Sequence, residues 1–260
     1  VLLVELRKDA GLKNSLHKRL TDYYEFRNQP NLALEHAYLA GDNAKVQMLF
    51  PDAARVLQAT GHGGELVRWS IFAGDNSVEG NLLRKTVELA GHLTSLEYKT
   101  TQSLIHSMSF DAKGTALEGF IAQITASAGA YLDITHGRFS DLLEKVDLVF
   151  APIQGPYALG IDEQIAVLRL AAVRAFIFED AQELERLHER ALELTHSSKV
   201  LNSQIFVASI RALSEFTLGS YRLAYESASL SYNQSRTAGF AGIMGPLESM
   251  YVMALSLIHI

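Results

Sequence analysis

The chain has 260 residues, of which 48% are hydrophobic and 20% charged, and its net charge is -6. This balance fits a globular protein and disfavours a nucleic-acid-binding face over much of the surface. The absence of cysteine excludes a disulfide framework, a thiolate metal site and a Cys nucleophile, and it is compatible with the cytoplasm, where we place the chain. The most apolar stretch, residues 165–178, is interrupted by Arg169 and Arg174, so we expect no membrane span.

Both ends of the chain have the character of cuts through a longer protein. Residues 1–5 carry charge too early for a secretory signal. We interpret residues 1–15 as the tail of a preceding region that is missing here. The last six residues, Leu-Ser-Leu-Ile-His-Ile at 255–260, match one translated frame of a common sequencing adapter, and we expect them not to be native.

Helical patterns with clear ends begin near the N-terminus. Apolar and aromatic residues at helical spacing predict a first helix over residues 12–28 and a second over 31–40. Gly41 can take the left-handed conformation that ends the second helix, and Asp42 can cap a third over residues 44–57. The sequence therefore predicts antiparallel helices joined by short turns.

Later joins repeat this design. The segments 136–139, 178–181 and 218–221 each end one helix and start the next, at a spacing of about 40 residues, against about 34 in a strict tetratricopeptide repeat. We therefore predict an all-α fold, a right-handed superhelical solenoid of antiparallel helix pairs built from degenerate tetratricopeptide-like repeats. We place the first helix pairs and a connector in residues 16–94 and the superhelical domain in residues 95–254.

Three segments carry start signals of the capping-box kind. They begin at Thr94, Thr115 and Asp180, and each has a glutamate three residues later. In such a box the first side chain accepts from a free backbone N–H and the glutamate reaches back. We therefore expect a helix to start at each of them.

The sequence lacks the patterns that carry catalysis or metal binding. The nine histidines are dispersed and form no His-Glu-x-x-His pair; the run that starts at His188 lacks the second histidine. There is no Gly-x-Ser-x-Gly turn and no phosphate-binding Gly-x-x-x-x-Gly-Lys-Ser/Thr loop. We predict no catalytic residue, no metal ligand and no bound cofactor in this segment, and we interpret the protein as a non-enzyme.

Aromatic side chains near the C-terminus are the candidate contacts for a ligand or partner. Phe216, Tyr221, Tyr225 and Tyr232 lie close in sequence, and Tyr221 and Tyr225 share a helix face. Aromatic faces can stack on sugars or peptides. The alternative interpretation is that these rings fill gaps between repeats.

The region from Leu16 to Trp69 resembles a known family. The residues that carry the resemblance are Leu16-His17-Lys18-Arg19 with Tyr23-Tyr24, Ala33-Leu34-Glu35-His36-Ala37 with Ala40-Gly41-Asp42, and Gly64-Glu65-Leu66-Val67-Arg68-Trp69. They resemble the large bacterial LuxR-type transcriptional regulators related to the maltose regulator. The match covers about 60 residues and is architectural beyond residue 80.

The resemblance implies a sensor segment within a switch protein. An ATPase and winged-helix region, which would use ATP, would precede this segment, and a helix-turn-helix DNA-binding domain would follow it. The segment would bind a small-molecule inducer or a regulatory protein, and the complete protein would self-associate and contact DNA only through the missing domain. The alternative is a free-standing tetratricopeptide-like scaffold for protein partners.

Overall fold

The computed structural model describes residues 10–151, 159–196, 201–237 and 244–260. All regular structure in these residues is helical, which confirms the predicted all-α class. The chain divides into two compact units, residues 1–95 and 96–260. Each unit is described by itself.

Unit 1 is the first of these, residues 1–95. Its helices are α1 (Ala10–Phe26), α2 (Pro30–Leu39), α3 (Asn43–Ala59), α4 (Gly63–Trp69) and α5 (Val78–Thr94), with a 3-10 turn at Ser70–Phe72. Consecutive helices pack against each other, and α3 also contacts α5. The core includes Ala33, Leu34 and Ala37 from α2 and the single tryptophan, Trp69, which is 3% exposed. Trp69 therefore reports on the packing of this unit.

Unit 2, residues 96–260, contains eight helices in its described residues. They are α6 (Tyr98–Asp111), α7 (Glu118–Thr135), α8 (Leu142–Phe150), α9 (Ile161–Ile177), α10 (Ala181–Thr195), α11 (Leu201–Thr217), α12 (Tyr221–Thr237) and α13 (Met244–His259).

The helices of unit 2 contact one another in a repeating order. Each helix packs against the next one in the chain, and α7, α9, α11 and α13 also pack each against the next of this set. We call these four the odd helices. One core runs along them and includes Ile165 and Ala172 of α9, Ile210 of α11 and Val252 of α13. The pattern is that of successive helix pairs, each of which buries its apolar face against its neighbours.

The joins between helices share one backbone conformation. In six of the joins within the described residues, a residue with positive φ follows the helix end. Its own backbone N–H and that of the next residue bond back to the last turn, as in Schellman motifs. The residues with positive φ are Asn28, Gly41, Gly61, Gly137, Glu179 and Gly219. Gly41, Gly137 and Gly219 confirm the predicted turns. Glu179, in the predicted join 178–181, adopts the left-handed conformation although it carries a Cβ.

The equivalent joins at Glu179 and Gly219 give a stability prediction. Glu179 has φ 54° and Gly219 has φ 79°. Because glycine reaches this region without steric cost, we expect Glu179→Gly to raise the free energy of unfolding by about 1 kcal/mol and Gly219→Ala to lower it by about 1 kcal/mol. Urea titration followed by far-ultraviolet circular dichroism measures both. A loss of stability in Glu179→Gly would contradict the prediction.

The predicted capping boxes fare differently. The Asp180 carboxylate accepts from the Glu183 backbone N–H at 3.0 Å, which confirms the helix start and this half of the box. The Glu183 carboxylate accepts from Arg186 and does not reach back. The prediction at Thr94 is wrong, because Thr94 ends α5 and its hydroxyl donates to the Ala90 carbonyl at 2.8 Å. Around Thr115 the predicted box does not form. The Glu118 side chain accepts from the Gly114 N–H, the Thr115 hydroxyl accepts from the Leu117 N–H at 3.3 Å, and α7 starts at Glu118.

A pair of histidines joins α1 to α2. His17 Nδ1 and His36 Nδ1 lie 3.0 Å apart, and the two rings stack at 5.2 Å. One ring must donate its N–H and the other must accept, so the contact requires at least one neutral imidazole. Burial, the His36 ring and Lys13 lower the pKa of His17 below 6.5.

This pair predicts a pH dependence of the stability of unit 1. Because the pKa of His17 is lower in the folded chain, the unfolded chain binds the proton more tightly. The stabilisation is fully present above pH 6.5 and is lost as the pH falls below that value. The urea midpoint, followed by Trp69 fluorescence, should therefore fall between pH 7.5 and pH 5.5. The fall should be smaller in His17→Gln than in the wild type, and an equal fall in both proteins would contradict the assignment to this pair.

Candidate functional site

The odd helices of unit 2 bring buried polar side chains together. Arg169 on α9 is 3% exposed, and its Nη1 donates to Glu248 Oε1 on α13 at 2.8 Å. The other carboxylate oxygen of Glu248 accepts from the Ser209 hydroxyl on α11 at 3.2 Å. Three successive odd helices therefore meet at one charged group. We call Arg169, Ser209, Glu248, Phe206 and Tyr131 the charged cluster.

The remaining members of the charged cluster are aromatic. The Arg169 guanidinium lies over the Phe206 ring of α11, 4.9 Å from its centroid. Tyr131 of α7 is half-buried, and burial raises the pKa of its phenol while the charge of Arg169 opposes that rise. The cluster thus extends over all four odd helices.

Burial controls the electrostatics of the ion pair. The Arg169 and Glu248 side chains are 4% and 12% exposed. Burial raises the pKa of Glu248, and the Arg169 charge and the hydrogen bonds from Arg169 and Ser209 act in the opposite direction. A charge removed from water is costly unless it is paired. Loss of either Arg169 or Glu248 would therefore leave the other buried without a counter-charge.

One hydrogen-bond donor of the charged cluster lacks an acceptor among the described residues. Arg169 Nε is buried and has no hydrogen-bond acceptor among the residues that the structure describes. Buried polar groups normally find a partner, so such a donor marks a strained or functional position. The sequence contains a signal that it shares with one other residue: Arg169 and Arg174 are the two charged residues in the apolar run 165–178.

A groove between α10 and α11 is a second candidate. Its cavity is about 370 Å³ and is lined by residues that include His188, Arg211 and Glu215. Burial, followed by the charge of Arg211, lowers the pKa of His188. His188 Nε2 is buried and lacks a partner within the described part of the chain. The groove can therefore offer a neutral imidazole beside an Arg–Glu pair whose Nε and Oε1 atoms lie 2.8 Å apart.

A wider depression of about 820 Å³ lies along α6 and includes Lys99, His106 and Phe110. All of its lining residues come from this one helix. A single helix face cannot enclose a ligand, so this depression is a weaker candidate than the groove or the charged cluster.

The four aromatic residues predicted as contacts do not form one site. Phe216 packs against the core of unit 2, and its ring meets Tyr221 at 5.2 Å. Tyr221 also stacks on His259 at 4.4 Å. Tyr225 and Tyr232 are half-buried on α12, and neither shares a ring contact with Phe216 or Tyr221 in the described residues. The structure joins Phe216 and Tyr221, and their role in ligand contact stays a prediction.

The described residues contain neither a metal-binding cluster nor a membrane-spanning helix. No group of three or more His, Asp or Glu side chains there could hold a metal ion. No helix in the same residues is both long and apolar enough to cross a membrane.

The described residues form an all-α chain of packed helix pairs, and this arrangement resembles that of helical-repeat proteins. A scan against protein-family models matches no family, and searches of curated proteins and of solved structures return no match.

Proposed function

We propose that this chain is the effector- or partner-sensing segment of a LuxR-type transcriptional regulator. It would bind a small ligand or a regulatory protein on the inner face of a superhelical solenoid formed by unit 2. Binding would control ATPase and DNA-binding domains in other parts of a longer protein.

The observation that supports a sensing role is the charged cluster. Arg169, Ser209 and Glu248 come from three helices that are not neighbours in sequence. A ligand that changes one of these contacts changes the packing of all three helices. A sensor needs a contact with two arrangements, because a ligand shifts a conformational equilibrium only through different affinities for the two states; we propose that the charged cluster is that contact.

The assignment to LuxR-type regulators depends on the residues from Leu16 to Trp69. Trp69, Leu34 and Ala37 of this region are core residues of unit 1. The coding sequence on both sides of the chain tests the assignment. An upstream ATPase with a Gly-x-x-x-x-Gly-Lys-Ser/Thr loop and a downstream helix-turn-helix are expected, and the absence of both would overturn it.

A free-standing tetratricopeptide-like scaffold is the alternative. The feature that favours it is a row of exposed apolar side chains on α1: Leu16 is 38% exposed, Tyr23 52% and Phe26 87%. A contiguous apolar surface is typical of a protein interface. A scaffold would bind its partner through this row without any effector, and Phe26→Ser would abolish binding while it leaves the helical circular dichroism unchanged.

A further inference from the structure

Arg169 has more hydrogen-bonding capacity than its contact with Glu248 uses. A guanidinium carries five N–H donors in a fork that matches a carboxylate through two parallel bonds. In this chain Nη1 donates to one Glu248 oxygen at 2.8 Å. Arg169 Nε is buried and donates to no acceptor in the described residues. The contact with Glu248 therefore leaves the guanidinium partly unsatisfied.

The surroundings of Arg169 suit a carboxylate. Phe206 lies against the guanidinium and holds its plane, as aromatic rings do at many sites where arginine recognises anions. The Ser209 hydroxyl supplies a second donor, at 3.2 Å from the Glu248 carboxylate. A cation on an aromatic ring with a nearby hydroxyl donor is a set of groups that recognises an acid and fixes its orientation.

Glu248 is the group that occupies this place. It reaches the cluster from α13 and lies 79 positions after Arg169 in the chain, so the contact depends on how α13 packs. Glu248 lies close to the start of α13 (Met244–His259). A movement of that end of α13 would withdraw the carboxylate and leave Arg169 and Ser209 with two donors directed at the same place.

We propose that Arg169 and Ser209 form a binding site for a small carboxylic acid, and that Glu248 occupies the ligand's position in the free chain. This inference rests on the proposed sensing function and names the ligand class. An external acid that binds there displaces Glu248 and releases α13 from α9 and α11. The ligand thus has different affinities for the two packings, which is the requirement for a switch.

Acetate is the probe that tests this site. Glu248→Ala removes the internal carboxylate and leaves a space next to Arg169. The melting temperature is measured in 100 mM sodium acetate and in sodium chloride of equal ionic strength at pH 7. We expect acetate to raise the melting temperature of Glu248→Ala by about 3 °C relative to chloride. The wild type should show a smaller rise, because acetate must first displace its own carboxylate from Arg169.

The double variant Arg169→Met/Glu248→Ala is the matched control and should not respond to acetate. An equal rise in the double variant, or no rise in a folded Glu248→Ala, would overturn the proposal. If Glu248→Ala does not fold in chloride, acetate should restore its helical circular dichroism, and a failure to restore it would overturn the proposal as well. Any of these failures would leave the regulator assignment standing, because the neighbouring coding sequence tests that separately.

Discussion

Replacing Glu248 by glutamine is expected to lower the free energy of unfolding of unit 2 by about 3 kcal/mol. Glutamine keeps the size of the side chain and removes its charge. Arg169, whose side chain is 4% exposed, then remains charged without an ionised partner. A buried cation that loses its counter-charge costs about 3–5 kcal/mol, and the hydrogen bond that the amide oxygen can still accept places the expected loss at the lower end of this range.

The reverse single variant should behave in the same way. Arg169→Met leaves the Glu248 carboxylate, whose pKa is already raised by burial, with the Ser209 hydroxyl as its one remaining partner among the described residues. We expect a loss of about 3 kcal/mol here too. The double variant Arg169→Met/Glu248→Met places apolar side chains in both positions, so neither charge is buried. Its stability should lie within about 1 kcal/mol of the wild type, because buried ion pairs are often replaced by packed apolar residues without loss.

Urea titration followed by far-ultraviolet circular dichroism gives the four free energies of this cycle. The exposed pair Arg222–Glu226 provides the control, because its side chains are 86% and 57% exposed. Arg222→Met should cost less than about 0.5 kcal/mol. If the two cluster substitutions are as mild as the control, or if their losses simply add in the double variant, the ion pair does not hold the odd helices together.

Local signals in the sequence were enough to predict the helix joins. Gly41, Gly137 and Gly219 stand at helix ends where a left-handed residue is required, and all three have positive φ. Glu179 shows where this reasoning stops. Its join has the same backbone hydrogen bonds, although the residue carries a side chain and its conformation is one that glycine prefers. Such a residue cannot be identified from propensity alone.

The charged cluster could be predicted only in part. Arg169 and Arg174 both interrupt an apolar run, so the sequence marks two arginines, of which the structure buries Arg169. The partner of Arg169 has no such signal, because Glu248 is 79 positions away and resembles any other helical glutamate. The aromatic residues near the C-terminus are predicted as contacts because they are close in sequence. Closeness in sequence placed Tyr221 beside Phe216, but neither Tyr225 nor Tyr232 shares a ring contact with these two in the described residues.

The helix start at Gly63 is a second feature that the sequence pattern does not predict. The run Gly61-His62-Gly63-Gly64 has the composition of a flexible loop, yet α4 begins at Gly63. A Cβ on Gly63 would lie 2.2 Å from the Gly91 carbonyl oxygen of α5 and 2.9 Å from the Ser95 backbone nitrogen. The absence of a side chain at Gly63 therefore permits the close approach of α4 and α5. The sequence alone cannot show this, because the contact is made with a residue 28 positions later.

Gly63→Ala is expected to lower the free energy of unfolding of unit 1 by about 2–3 kcal/mol, because the added methyl group meets backbone atoms that cannot move without separating α4 from α5. Gly64→Ala is the matched control: a Cβ there meets nothing within 4 Å. It should be neutral or stabilising by up to about 1 kcal/mol, since alanine favours helix over glycine. Trp69 lies in α4, so its fluorescence during urea titration measures the free energy of unfolding of both variants. Equal stabilities for the two alanine variants would show that the helices do not depend on this close approach.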